Sequence, residues 1–258
     1  MLNLREEAQK HRPQVPHLPH LRDAAIGTWK ARMVNEYGSA RVFEGLYTQL
    51  SNIPLPKADL ERLKSFAEDE KRHGILCGAV VEALGGEAIA PPLPIIPFPS
   101  HEDVSLLEGA IRNLLSISCL SETIAVSLIG AERLEMPEGS LRELLTNIYA
   151  DECAHANFGW RLLGDLLNRG DAELPKRLNK YLQLAFLHLE THELTHLPID
   201  AQPPKEGVAL GLCSGLDARE LFYATIEQII IPGLTQHGLD ARWAWSTRKE
   251  AHLVQPIA

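Results

Sequence analysis

One pattern occurs twice in this chain, as Asp69-Glu70-Lys71-Arg72-His73 and as Asp151-Glu152-Cys153-Ala154-His155. Each copy sits inside a long segment with helical apolar spacing, and in a helix a Glu and a His three positions apart share one face. A single Glu-x-x-His is common on solvated helices and constrains little. Two copies on apolar faces are different, because they carry four ionisable side chains into a low-dielectric interior. Desolvating those groups requires a compensating partner. A fold that accepts this sequence has to bring the two faces together around positive charge.

The rest of the chain supplies the helices. Trp29, Met33, Glu36, Ala40, Phe43, Tyr47 and Leu50 recur at steps of three and four and make one helical face. Asn52 to Pro56 breaks that helix, and a second runs from about Lys57 to Leu84, where Gly85-Gly86 stops it. A segment containing Pro91, Pro92, Pro94, Pro97 and Pro99 follows and reads as extended. At 3.1 Å per residue, roughly fifteen residues span about 45 Å, enough to run the length of a helix. This predicts a crossover between helices two and three rather than a plain up-down order.

The third helix is expected from about His101 to Leu134, with Glu122 as its one charge between Asn113 and Ala131. Its serines and that carboxylate favour a buried central helix over a membrane span. Ser140 and Glu143 read as a capping box opening a fourth helix to about Asn168. A fifth follows from Leu174 to Pro198 and a sixth from about Asp217 to Ile231. The fold class is therefore all-α. Residues 1–21 are expected to be a tail, 22–198 the bundle with its fifth helix, and 199–258 a C-terminal helical extension.

A two-cation site in a four-helix bundle needs one carboxylate from each of the two remaining helices. In an antiparallel hairpin two residues meet when each lies equally far from the turn. Glu122 and Glu152 each lie about 13 residues from the third-to-fourth turn. Glu36 matches Glu70 in the same way, whereas Glu44 misses by about 10 Å and lies about 80° off the apolar stripe. The predicted ligands are Glu36, Glu70, His73, Glu122, Glu152 and His155. Oxygen and imidazole donors without thiolates suit iron or manganese. Asp69 and Asp151 are placed to accept the free ring N–H of the opposite motif's histidine. Tyr149, one turn before Glu152, is a candidate redox-active residue, and Cys77 and Cys119 are expected to line a pocket.

These residues resemble the ferritin-like, or ribonucleotide-reductase-small-subunit-like, di-iron carboxylate superfamily over about residues 22–168. Asp69 to His73 also looks like the DExRH motif of bacterial multicomponent monooxygenases, while the second motif has Ala154 in place of the arginine. The resemblance implies a ferritin-like four-helix bundle holding two Fe ions, or a manganese/iron pair. It implies a non-haem oxidase or oxygenase acting with O2 on a small organic substrate, with an external electron donor. A ferroxidase or a rubrerythrin-like peroxidase is the alternative. Ferritins proper lack the second Glu-x-x-His, and rubrerythrins add CxxC pairs that this chain does not have.

A competing motif is His192-Glu193-Leu194-Thr195-His196, the HExxH of zinc hydrolases. Glu190 in the approach, Pro198 directly after and the scarcity of strand patterns count against it. Glu220 or Glu227 would have to supply a third ligand, and His188 extends the row as a surface or subunit contact. Composition restricts the partners. With 34 acidic against 25 basic residues the net charge is -9, which argues against nucleic acid and anionic membranes. Four cysteines without a CxxC pair and no signal-like N-terminus suggest a cytoplasmic protein, with a homodimer compatible.

Overall fold

The computed structural model of the chain describes residues 1–91 and 96–251. Its long helices are α2 (Arg22–Leu50), α3 (Lys57–Ala83), α6 (Ser140–Leu167) and α7 (Leu174–His196), after a short α1 (Arg5–Gln9). A continuous helix from Leu106 to Glu135 comprises α4 (Leu106–Leu114), a π-helical stretch (Leu115–Ser121) and α5 (Glu122–Glu135). The chain is all-α, with one two-stranded ribbon among the described residues. The α2/α3 and α5/α6 hairpins pack together, α7 lies on α4 and the π stretch, and α8 (Gly215–Thr225) lies on α5.

Two apolar clusters fill the interior. One contains Phe43, Phe66, Leu114, Leu115, Phe158 and Phe186, and the other contains Trp29, Met33, Cys77, Val80, Leu145 and Ile148. On α2, α3 and α6 the sequence passes from one cluster to the other across the predicted ligands: Met33 to Phe43, Phe66 to Cys77, Ile148 to Phe158. The polar cluster is thus sealed above and below by hydrocarbon.

The structure differs from the sequence expectation at several element ends. The expected N-terminal tail is docked: Leu2–Asn3 pairs antiparallel with Ile89–Ala90, and Ala8 is fully buried against α3. Burial of Leu4 and Ala8 outweighs the polarity of that segment. The extended reading of the proline-rich crossover falls partly on residues 92–95, outside the described residues, while residues 96–99 have no regular structure.

The third helix begins at Leu106 rather than near His101, where Ser105 accepts a hydrogen bond from the Glu108 N–H at 3.2 Å. Ser105→Ala is expected to lower unfolding free energy by about 1 kcal/mol, read from a urea melt. The capping box at Ser140 does not form. Ser140 is already helical, Gly139 precedes it at φ 152°, and the Ser140 hydroxyl instead accepts from the Gln14 N–H.

Gly85-Gly86 does end α3. Gly85 takes φ 81°, and the N–H groups of Gly85 and Gly86 reach back to the carbonyls of Glu82 and Val81. The expected sixth helix runs on through Pro232, as α8, a π stretch (Ile226–Ile230) and α9 (Ile231–Gln236). A proline has no N–H to give, and the π stretch lies directly before this one. A last helix, α10 (Ala241–Thr247), packs on α7.

Candidate metal centre

Among the described residues, two groups of side chains are spaced to hold a cation. The first is Glu36, Glu70, His73 and Glu152; the second is Glu70, Glu122, Glu152 and His155. Within each group the ligand atoms lie within 4.8 Å of one another. The two groups share Glu70 and Glu152. All six ligands expected from spacing are therefore brought together, each from the predicted helix. Glu44 is not among them: it is exposed and pairs with Lys71 at 2.9 Å.

The imidazoles have the same arrangement. His73 Nδ1 lies 3.1 Å from Glu152 and 3.5 Å from Glu36. His155 Nδ1 lies 3.2 Å from Glu70, 3.4 Å from Glu122 and 3.3 Å from Glu152. The opposite ring atoms point to the aspartates across the bundle, His73 Nε2 to Asp151 at 3.1 Å and His155 Nε2 to Asp69 at 3.5 Å. An Nε2–H held by a carboxylate leaves Nδ1 with its lone pair toward the cluster.

The donors fit a cation pair by another test. Glu70 Oε1, His73 Nδ1, Glu122 Oε2 and His155 Nδ1 are buried and lack a hydrogen-bond partner of good geometry. Such atoms are costly unless something binds them.

Electrostatics describe the same demand. Burial pushes Glu70 up to about 8, with the Glu152 and Glu36 charges adding to it. Burial and the nearby Glu152 raise Glu122 well above the carboxylate range. Burial opposes charging His73, but Asp151, Glu152 and Glu36 outweigh it and raise it to about 12. His155 is raised in the same way by Asp69, Glu122, Glu152 and Glu70. Glu152 is also buried, yet Glu122 and the two histidines hold it below its usual value.

These shifts favour the protonated forms of Glu70, Glu122 and both imidazoles in the metal-free cluster. These protons must leave when cations bind, so lowering the pH favours the free form. Metal affinity is expected to rise steeply from pH 6 to pH 8, with proton release visible as buffer-dependent heats in calorimetry. Uptake without proton release would contradict this.

Arg72 is a residue that the spacing argument missed. One of its nitrogens donates to both Asp69 and Asp151, at 2.8 Å each. The signal was present in the motif, where Arg72 has Ala154 as its counterpart: one guanidinium serves both halves. Both aspartates are lowered, Asp151 chiefly by His73, and Asp69 by His155 and Arg72 against its own burial.

Tyr149 is not at this site. Its ring stacks under Arg133 at 4.7 Å, beside Gly130 on the outer side of α5. Successive helical residues are about 100° apart, and the inward face of α6 runs through Ile148, Glu152 and His155, which turns Tyr149 away. Cys77 lines a cavity as expected, whereas Cys119 is fully buried in the apolar core.

That cavity, about 1590 Å³, reaches the cluster at Glu36, Glu70, Glu122 and Glu152. Its other walls come from α2, the π stretch, α5, α7 and residues 197–218. His188, His192 and His196 form a row on its α7 wall, the first two rings stacked with centroids 6.3 Å apart and the last two edge to face at 4.7 Å. No third ligand joins His192 and His196 among the described residues. Glu220 is exposed, Glu227 pairs with Arg242, and Glu190 is held by Arg248 and Tyr223.

No protein-family model matches the chain, and no curated protein matches it.

Proposed function

We propose that this chain is a ferritin-like di-iron carboxylate protein that uses O2 to oxidise a small organic molecule held in the cavity. The observation that carries the reading is the sharing of Glu70 and Glu152 between two four-ligand groups. Glu70 and Glu152 would serve two cations in common, with Glu36 and His73 completing one group and Glu122 and His155 the other. Four carboxylates neutralise two divalent cations, a hard donor set that suits iron.

A bound pair of Fe(II) ions supplies the electrons that reduce O2. The residues of the chain do the rest. Asp151 and Asp69 fix the imidazole tautomers, and Arg72 holds those two aspartates at a set separation. The apolar clusters on either side keep bulk water from the ligands. The cavity opens on the carboxylate side of the cluster, so a substrate approaches the cations past Glu36 and Glu122. An external donor returns electrons after each cycle.

Anaerobic titration with Fe(II) tests the reading. Two irons per chain are expected, followed by an optical transient when O2 is admitted, and both are expected to be lost in Glu36→Ala and Glu122→Ala combined. Zinc bound through His192 and His196, with that double variant unaffected, would sink it.

A further inference from the structure

The motif that the metal centre leaves unused is the polar end of α7. The cavity face of α7 changes character along its length. Ala185 and Leu189 are apolar and buried, whereas His188, His192, Glu193 and His196 follow as a polar patch. Elsewhere the lining is mostly apolar, including Val42, Ile117, Leu128 and Ile129, with the carboxylate cluster and the Arg32–Glu132 pair also facing the cavity. The cavity is thus amphipathic, with an apolar body and the end of α7 as one of its polar patches.

Its charges sort into three kinds outside the metal cluster. Arg32 and Glu132 close on each other through two bonds of 2.9 and 2.7 Å. Arg41, Glu135 and Asp217 are exposed. Glu193 alone is half-buried on the cavity wall without an ion-pair or hydrogen-bond partner among the described residues. We propose that Glu193 receives a basic nitrogen, so that the cavity selects an amine carried on an apolar body.

An anion has no comparable place. The cavity's half-buried guanidinium, Arg32, is already neutralised by Glu132. Burial, and for His192 the neighbouring histidines, lower His188 and His192, which favours their neutral forms as edges and faces rather than charge. Burial also raises Glu193 to about 7, and an ammonium beside it would restore the carboxylate. A cleft with unpaired charge of one sign favours a ligand of the other.

Taking this amine as the substrate rests on the oxidase reading, but its binding does not. The test is calorimetric titration of the full-length protein with n-octylamine, octanoate and octanol, in the metal-free and Mn(II)-loaded states. Mn(II) occupies the carboxylate cluster and removes it as a second amine site. One octylamine per chain is expected, with octanoate silent and octanol at least tenfold weaker.

Glu193→Gln, nearly isosteric and checked by circular dichroism, is expected to weaken octylamine at least tenfold in both states. Glu135→Gln is expected to leave it unchanged in both states. Octanoate binding as tightly as the amine would overturn the inference. So would full affinity in Glu193→Gln, or an equal loss in Glu135→Gln. Two irons per chain without amine binding sinks this inference alone, and amine binding without iron sinks the oxidase reading alone.

Discussion

Glu152→Ala is expected to abolish binding of both cations, whereas Glu36→Ala removes one end only. Glu152 belongs to both ligand groups, and Glu36 belongs to the first. Metal analysis after anaerobic loading reads the difference directly: close to zero irons per chain for Glu152→Ala and close to one for Glu36→Ala. Equal losses would refute the sharing of Glu152.

The same substitution also strikes the metal-free protein. Glu152 is the carboxylate whose charged form the two buried histidines favour, 3.1 Å from His73 and 3.3 Å from His155. Removing one partner of a buried ion pair typically costs about 3–5 kcal/mol, because the remaining charge is left uncompensated. Glu122, by contrast, is raised well above the carboxylate range by burial and by Glu152, which favours its neutral form. Glu122→Ala is therefore expected to destabilise the metal-free protein much less than Glu152→Ala, as judged by paired urea melts.

Gly159→Ala is expected to damage fold and site together. A Cβ at position 159 would lie 2.3 Å from the Ser118 Cβ and 2.9 Å from its carbonyl carbon. Part of that obstacle is backbone, so rotamer changes cannot relieve it. The π stretch would have to retreat from α6, and Glu122 is the residue that immediately follows it. Overpacking of this kind costs about 1–3 kcal/mol. A cation taken up by the group with Glu122 and His155 is expected to weaken by more than one taken up by the group with Glu36 and His73. Unchanged binding at both ends with an unchanged melting temperature would show that α6 and the π stretch tolerate separation.

The convergence of the six side chains was legible because it rests on two local rules. Helical periodicity puts Glu70 with His73 and Glu152 with His155, and equal distance from a turn pairs Glu36 with Glu70 and Glu122 with Glu152. Each rule needs only a residue count. The same counting rejected Glu44, which the structure places on the surface with Lys71. The crossing of Asp69 and Asp151 to the opposite histidines was also within reach, since each aspartate precedes its own ligand by one residue and faces the neighbouring helix.

Counting failed where the helix is not a regular α-helix or where proximity in sequence stood in for direction. Tyr149 is one turn from Glu152, yet a 60° offset is enough to carry it to Arg133 and Gly130. The π stretch before Glu122 has no local signature, because it depends on how closely Gly159 lets α6 approach Ser118. Ser140 has the composition of a cap but sits one residue inside the helix, and Gly139 takes the boundary.

The net charge of -9 reads differently once the interior is known, since four of those acidic residues face inward at the cluster. By itself the sequence determined that the chain is helical, which helices form hairpins and which six side chains converge. Those properties follow from the 3.6-residue repeat and from chain breaks, both local. Only the tertiary structure decided that Glu70 and Glu152 are shared, that one arginine bridges both aspartates, and that α7 turns Glu193 into a cavity. Each of these depends on surfaces from segments far apart in the chain, and their approach is set by packing that no single helix encodes.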